Sequence, residues 1–349
     1  MKNKNRIKHI GFIGVRGLPP RYGAFDQHLH NLIKYSSEIK DNKVFYVLCD
    51  KSFKEYNYEY KNCIRIFINR GNGIFLIFSN IIGIIKFLIY GIRNYVFFGY
   101  SMSFVFSFLK LFNCNIICNV DGIEWRRGIS LIKKKFFKLC EILVIKSKVK
   151  LIFDSIAIKR YYSIIHKTNG TLLYYASDFK YLTNKNKNKN YLKCFVPMRF
   201  LKENNIELII NVIKRFNNIK LYLSGIENEY FKKNLKNKIK NSKNIFYLGP
   251  IYCRNKLQRY WNSADFYIHG HSVGGTNPTL IEAISLFKPI IAYNAIFNRL
   301  ILNKHYYFFN SEKDLIKILE ERKFLNGDRI KLNTDFNIDK IYHKMFELF

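Results

Sequence analysis

Acidic side chains are scarce in this sequence. Over 349 residues there are 25 Asp and Glu against 59 Lys and Arg, which leaves a formal charge of +34. A surface of that sign points to an anionic partner: nucleic acid, an anionic membrane face or a phosphorylated substrate. Part of the excess follows from the abundance of Lys, Asn, Ile, Phe and Tyr, the composition of an AT-rich genome. The motifs of nucleic-acid binding are missing. There is no RNP-like run, no paired Cys/His finger spacing and no basic region ahead of heptads, so no nucleic-acid partner is expected. Seven cysteines occur, an odd number, with no Cys-x-x-Cys pair. Cys114 and Cys118 stand too far from other thiols and histidines for zinc, so no metal site is expected. Reduced, mostly buried thiols in a cytoplasmic protein are the expectation. No cleavable leader is expected either. The apolar run at 10–15 stops at Arg16 without a small-residue cleavage site, and a first strand is expected there.

What is present is material for two cores. Hydrophobic residues make up 48% of the chain, and the length suits two domains of ordinary size. Strand-like runs at 9–15, 44–49, 64–68, 95–98, 115–120 and 151–153 alternate with helix-length segments such as 25–35 and 131–147. That alternation predicts an open parallel sheet of βαβ units. Residues 184–190 alternate Asn and Lys, cannot form a core, and predict a linker or exposed loop. Strand-like runs then resume at 192–196, 220–223, 244–248, 266–269 and 289–292, with helices over 205–216, 229–240, 254–262, 278–287 and 313–321. The expected fold class is therefore α/β, with Rossmann-like domains at 1–178 and 192–335 and a linker at 179–191. A final segment, 336–349, carries Ile338, Ile341, Met345, Phe346 and Phe349 at helical spacing and is expected to pack back on the first domain.

Residues 74–92 hold nineteen positions with only Lys86 charged, long enough to span a bilayer. Asn80 and glycines interrupt the run and a strand-like segment follows at once. A buried or membrane-surface helix is expected rather than a span. Residues 104–111 continue the apolar, aromatic character, and a Lys-flanked surface of this kind would suit an anionic membrane.

The most informative stretch is 267–283. An apolar strand end leads into a Gly-rich polar loop and then a helix start. Asn277 is a good N-cap and Pro278 suits the first helical position. Gly274 and Gly275 would let the backbone approach a ligand. Free N–H groups and the helix dipole would then favour an anion such as phosphate. Glu282, a turn and a half in, is suited to accept from sugar hydroxyls, so the loop reads as a site for phosphate plus ribose. The competing reading makes Glu282 the acid of a capping box with Thr279.

Other polar clusters fall where strands are expected to end, which in open parallel sheets is where ligands bind. They are residues 14–23, 121–127, 197–200, 249–250 and 269–277. The first is not the G-x-G-x-x-G fingerprint, and its spaced acid is not evident.

Three motifs resemble a known family. Arg16-Gly-Leu-Pro-Pro-Arg-Tyr-Gly-Ala-Phe-Asp26 resembles R-G-I-P-x-x-Y-G-G-F-E. Asn119-Val-Asp-Gly-Ile-Glu-Trp-Arg-Arg127 is similar to N-x-D-G-L-E-W-K-R. His269-Gly-His-Ser-Val-Gly-Gly-Thr-Asn-Pro-Thr-Leu-Ile-Glu282 is nearly a signature of the same group. Asp154-Ser155 and Glu203-Asn-Asn205 match smaller elements. The group is the GT-B glycosyltransferases of retaining family 4, and within it the bacterial rhamnosyltransferases of capsule, exopolysaccharide or O-antigen assembly. Gly274 stands where family 4 usually has the first acid of its Glu-x7-Glu pair. Met198-Arg199 replaces Gly-Arg, and Asn204 stands where many members carry a base.

The resemblance implies two Rossmann-like domains facing across a cleft, with the N-terminal one on the acceptor side and the C-terminal one on the donor side. It implies a nucleotide-sugar donor, linked to dTDP or UDP, with no further cofactor and no required metal. Arg199 would contact the donor diphosphate, with Thr276, Asn277 and the backbone of Gly274 and Gly275 at the helix start. Glu282 would hold the ribose, and a Glu282→Ala variant would lose donor use while keeping its fold. Leu248 and Gly249 would line the base, and Gly14 and Gly17 would let the first loop approach the donor. His269 and His271 would contact sugar or phosphate. Asp121 would orient the transferred sugar or stabilise an oxocarbenium-like transition state, its alternative being an Asp-Gly turn. Arg21, Tyr22, Glu124 and Arg127 are acceptor candidates, with a Glu124–Arg127 structural ion pair as the alternative. The acceptor would be a saccharide on a polyprenyl diphosphate, which places the enzyme peripherally at the inner face of the plasma membrane. Two rivals stay open: a nucleotide-sugar 2-epimerase of the same fold, and a non-catalytic basic membrane or nucleic-acid binder.

Overall fold

Strands buried on both faces read as unbroken apolar runs, and the sheets here are built from them. The computed structural model describes residues 8–21, 23–126, 129–177, 179, 190–273, 276–302, 306–325 and 336–349. The chain forms two units, residues 1–176 with 337–349, and residues 177–336.

In the first unit, β1 (Lys8–Ile13), β2 (Lys43–Asp50), β3 (Cys63–Ile68), β4 (Asn94–Phe98), β5 (Asn115–Val120), β6 (Lys150–Phe153) and β7 (Thr171–Leu172) lie in the order β3-β2-β1-β4-β5-β6-β7. Every pairing is parallel. The crossovers carry α1 (Ala24–Glu38), α2 (Ile74–Ile89), α3 (Phe106–Leu111), α4 (Leu131–Lys146) and α5 (Ile156–His166). Ile84, Phe87, Phe106, Cys140, Val144 and Tyr162 bring α2 to α5 onto one face of the sheet. Leu29, Leu32 and Ile33 of α1 cover the other face together with Ile341, Tyr342, Met345 and Phe346 of the last helix, Ile338–Phe346. That last helix packs back on the first unit, as its apolar spacing predicts. Asn337 caps it by accepting from the Asp339 N–H, and Tyr342 donates to Asp41 at 2.6 Å.

In the second unit, β8 (Leu192–Pro197), β9 (Ile219–Ser224) and β10 (Ile245–Tyr247) form one parallel set, and β11 (Tyr267–His269), β12 (Ile290–Tyr293) and β13 (Tyr307–Phe309) another. A bridge between Cys194 and Phe266 joins β8 to β11. The resulting order, β10-β9-β8-β11-β12-β13, repeats that of the first six strands of the first unit. The helices are α6 (Ile206–Ile213), α7 (Lys236–Lys240), α8 (Arg254–Ser263), α9 (Pro278–Ser285), α10 (Ile296–Leu302) and α11 (Glu312–Glu321), and the last helix of the first unit is α12.

One sequence expectation changes and another holds. The single helix expected over 229–240 is a π-helical turn, Phe231–Leu235, followed by α7. Within the 74–92 segment, residues 74–89 form the expected helix, α2, with Asn80, Gly83, Ile84 and Phe87 buried. Among the described residues no helix is long and apolar enough to cross a membrane.

Candidate functional site

An open parallel sheet leaves a crevice where neighbouring strands send their crossovers to opposite faces, and ligands bind there, beyond the strand carboxyl ends. In the second unit that point lies between β8 and β11. The chain leaving β8 exposes Arg199 between buried Met198 and Phe200. It then turns, with Asn204 Nδ2 donating to the Arg199 carbonyl at 2.6 Å. Asn205 Nδ2 donates to the Gly270 carbonyl at 2.8 Å, and the Ser272 N–H and Oγ both donate to the Glu203 carbonyl. A Cβ at Gly270 would stand 2.1 Å from the Asn204 carbonyl oxygen, so only glycine fits between these loops. The two motif segments, 197–205 and 269–277, are one stitched structure.

Within it the polar side chains close a circuit. Tyr267 Oη pairs with His269 Nδ1 at 2.8 Å and with Thr279 Oγ1 at 3.0 Å. Thr279 donates through both N–H and Oγ1 to Asn277 Oδ1. Asn277 Nδ2 then meets His271 Nε2 at 2.7 Å, and the two imidazoles stack 4.6 Å apart. Because Asn277 Oδ1 accepts from Thr279, its Nδ2 must donate to His271, and the proton of the neutral ring sits on Nδ1. That buried Nδ1 has no partner among the described residues. Burial, and then the Arg199 charge, push the His271 pKa down to about 4. Burial also holds His269 well below the ordinary histidine range. Both rings act as neutral hydrogen-bonding groups. Arg199 is near enough for its charge to act on His271, which meets Asn277, the cap of α9, where Pro278 opens the helix and Thr276 is buried.

Glu282 departs from both readings of the sequence in part. It is not the acid of a capping box, because the cap is Asn277 and the Glu282 carboxylate points elsewhere. Its Oε1 accepts from Arg254 at 2.7 Å and its Oε2 from Trp261 Nε1 at 3.0 Å. The residue is 7% exposed, and the Arg254 guanidinium lies 3.6 Å from the centre of the Phe179 ring. Glu282 is thus held on two sides by α8, which the sequence reading missed. A Glu282→Ala change would therefore cost fold stability as well as any ligand contact. At the neighbouring strand ends, Gly249 has φ +71° with open space around its Cβ position. Its carbonyl accepts from Ser224 Oγ at 2.8 Å, and the Leu248 N–H donates to the Leu223 carbonyl.

In the first unit the corresponding point lies between β1 and β4. Asp26, buried in α1, accepts from the Arg16 N–H at 2.8 Å and pins the first loop. Burial raises its pKa to about 6, against the Arg16 and Gly17 N–H groups and the Arg70 and Arg16 charges. Protein packing by itself requires glycine at two positions of this loop. A Cβ on Gly14, at φ +107°, would lie 2.2 Å from the Phe98 carbonyl oxygen, and one on Gly17 would strike the Phe53 ring at 2.6 Å. Arg21 stacks on Tyr56, 3.4 Å from the ring centre. Asp121 lies half-buried beyond β5, and its charge adds to burial, the main cause, in raising the pKa of the Tyr100 and Tyr175 hydroxyls. Tyr175, buried, hydrogen-bonds to Asp154 and Asn119. The Glu124 N–H donates to Tyr100 Oη at 2.8 Å. Beside it Trp125 donates to Glu141 at 2.7 Å. Tyr22, Arg127, Gly274 and Gly275 lie outside the described residues, as does most of the expected linker.

Two doubly wound α/β units with polar loops at their switch points are the architecture of GT-B enzymes. Residues 178–326 match the family described as Glycosyl transferases group 1, and residues 7–178 match a Domain of unknown function (DUF1972). No curated protein matches the chain. Among solved structures, sucrose-phosphate synthase (tll1590) from Thermosynechococcus elongatus is similar with a TM-score of 0.79 at 14% identity, covering 98% of both chains. Anabaena Alr3699/HepE, in complex with UDP and glucose, gives 0.74 at 13%, covering 97% of this chain and 98% of that one. The apo lipopolysaccharide outer core galactosyltransferase WaaB gives 0.59 at 13%, covering 98% and 95%. At such identities the likeness shows the fold. The group 1 match over residues 178–326 and the fold together support a GT-B glycosyltransferase.

Proposed function

We propose that this protein transfers a sugar, rhamnose from dTDP-rhamnose, with retention, to a saccharide on a polyprenyl diphosphate at the inner face of the plasma membrane. The product serves capsule, exopolysaccharide or O-antigen synthesis. The observation that carries the donor half is the convergence of Arg199, His271, Thr276 and Asn277 at the start of α9. A cation, a buried N–H without an acceptor among the described residues and a helix N-terminus together suit a diphosphate.

In the proposed step the bond from the anomeric carbon to the diphosphate oxygen breaks as the acceptor hydroxyl oxygen bonds to that carbon on the same face. The acceptor proton leaves with the departing diphosphate. Arg199 and the start of α9 stabilise the charge that develops on the leaving group, a task they perform without a metal. Glu282 accepts from the ribose hydroxyls through the lone pairs that Arg254 and Trp261 do not use. Leu248 and Gly249 border the base. Asp121 stabilises positive charge on the sugar, and Arg21, Tyr22, Glu124 and Arg127 hold the acceptor. Gly274 and Gly275 bring backbone N–H groups to the phosphates.

The test is acceptor dependence. With labelled dTDP-rhamnose and extracted polyprenyl-diphosphate saccharide, label enters the lipid phase only when both are present. Conversion of the donor sugar without any acceptor would replace this reading with the epimerase.

A further inference from the structure

The two helical layers of the first unit have different outer faces. The layer of α1 and α12 presents one large apolar residue among the exposed ones, Ile39 at the end of α1. The layer of α2, α3 and α4 presents many. On α2, Phe75, Phe78, Ile82, Ile85 and Ile89 recur at alternating steps of three and four, which lines them along one side of the helix. They are 70%, 57%, 53%, 48% and 76% exposed. The opposite side of the same helix, through Ile84 and Phe87, is buried against the sheet. Phe108 and Leu111 continue the apolar surface on α3, and Ile132 and Leu139 on α4. Helices α3 and α4 adjoin, with Ser103, just ahead of α3, donating to the Cys140 carbonyl of α4 and Lys110 of α3 to the Ser147 carbonyl at its end, and both share with α2 the core on this face of the sheet.

The charges of this layer have one sign. Helix α2 contains Lys86 and no acid, and α3 contains Lys110 and no acid. Helix α4 contains Lys133, Lys134, Lys135, Lys138 and Lys146 with one acid, Glu141. Glu141 is buried, where it accepts from Trp125 and Tyr161 and meets His166. The outward face is thus apolar side chains set among lysines with no carboxylate. Contiguous exposed apolar surface marks a partner. A second copy of this chain would set lysine rows against each other. An anionic bilayer instead takes the apolar side chains into its interface and the ammonium groups to its headgroups. Helix α2 is too short to cross.

We infer that the outer face of α2, α3 and α4 is a docking surface for an anionic lipid bilayer, on which the first unit lies with α2 in the membrane plane. The inference rests on the lipid-linked acceptor proposed above only for its purpose; the surface stands on its own.

The test is co-flotation of the full chain with vesicles of phosphatidylcholine alone or with about one third phosphatidylglycerol. Binding is expected to the anionic vesicles, at least tenfold above the zwitterionic ones, and to fall with salt. A variant carrying Phe75→Ser, Phe78→Ser and Ile82→Ser, all at exposed positions, should lose at least tenfold in partitioning with unchanged melting. A variant carrying Lys133→Glu, Lys135→Glu and Lys138→Glu should lose the preference for anionic lipid. Failure to float with anionic vesicles, equal binding to both vesicle types, or dimerisation abolished by the serine variant would each overturn the proposal. Vesicle binding combined with transfer only to water-soluble acceptors would leave the docking surface standing and remove the lipid-linked acceptor.

Discussion

Replacing Glu282 with alanine should destabilise the second unit before it says anything about a ligand. The carboxylate receives Trp261 Nε1 at 3.0 Å and Arg254 at 2.7 Å. Trp261 is fully buried, so its N–H would be left without an acceptor where water does not reach, at a cost of about 1–3 kcal/mol. Removing one partner of a buried ion pair costs about 3–5 kcal/mol, but the Arg254 side chain is 26% exposed and recovers part of this by hydration. A total near 3–4 kcal/mol corresponds to a fall of roughly 10 °C in Tm for a unit of this size. Glu282→Gln keeps one acceptor oxygen and should cost about half as much. Adding Trp261→Phe to the alanine variant removes the stranded donor and should return about 1–2 kcal/mol. Thermal melts of the four proteins, followed by circular dichroism, give the comparison. An alanine variant that melts within about 1 °C of the parent would refute the picture of a carboxylate held from two sides. The glutamine variant is then the one in which a loss of donor affinity can be assigned to the ligand contact.

Three further outcomes follow from the same geometry. Stability should fall on acidification. His28, driven by burial to about 3, and His271, at about 4, are neutral in the fold and protonate first in the unfolded chain, so each loses about 2 kcal/mol between pH 7 and pH 5. Asp26, raised to about 6, acts in the opposite sense and returns about 1 kcal/mol over that window, so urea titrations should show a net loss at pH 5. Gly270→Ala should force the 197–205 and 269–277 segments apart against the Asn204 carbonyl, lowering stability by about 2–4 kcal/mol and abolishing nucleotide binding, read by melting and calorimetry. Gly17→Ala should lower Tm by pressing on the Phe53 ring while leaving nucleotide binding intact, since the contact is internal to the first unit.

Most strands were legible because fully buried parallel strands leave unbroken apolar runs, of which 115–120 is an example recovered at both ends. The two-residue β7 and three-residue β13 were missed, being too short to leave such a signal. The cap at Asn277 was legible because its chemistry is local: the side chain accepts from the N–H two residues on. The contacts of Glu282 were not, since Arg254 and Trp261 lie 28 and 21 residues away and only the packing of α8 against α9 brings them there. Gly17 shows a second long-range contact that the sequence does not reveal. A glycine in a polar loop reads as room for a ligand, and here its Cβ position also meets Phe53, a residue from the turn after β2.

The central claim is that the start of α9, with Arg199 and His271, binds the diphosphate of a nucleotide-linked sugar. Its most direct test is a thermal-shift panel of dTDP, UDP, GDP and NAD on the parent and on Arg199→Ala, whose exposed side chain has no fold to maintain. At 100 times its dissociation constant a ligand stabilises by about 2.7 kcal/mol, well within reach of a melt. The account predicts a selective shift with dTDP or UDP that disappears in a variant whose ligand-free Tm is unchanged. No shift with any nucleotide in a folded sample, or a shift that survives Arg199→Ala, would contradict it.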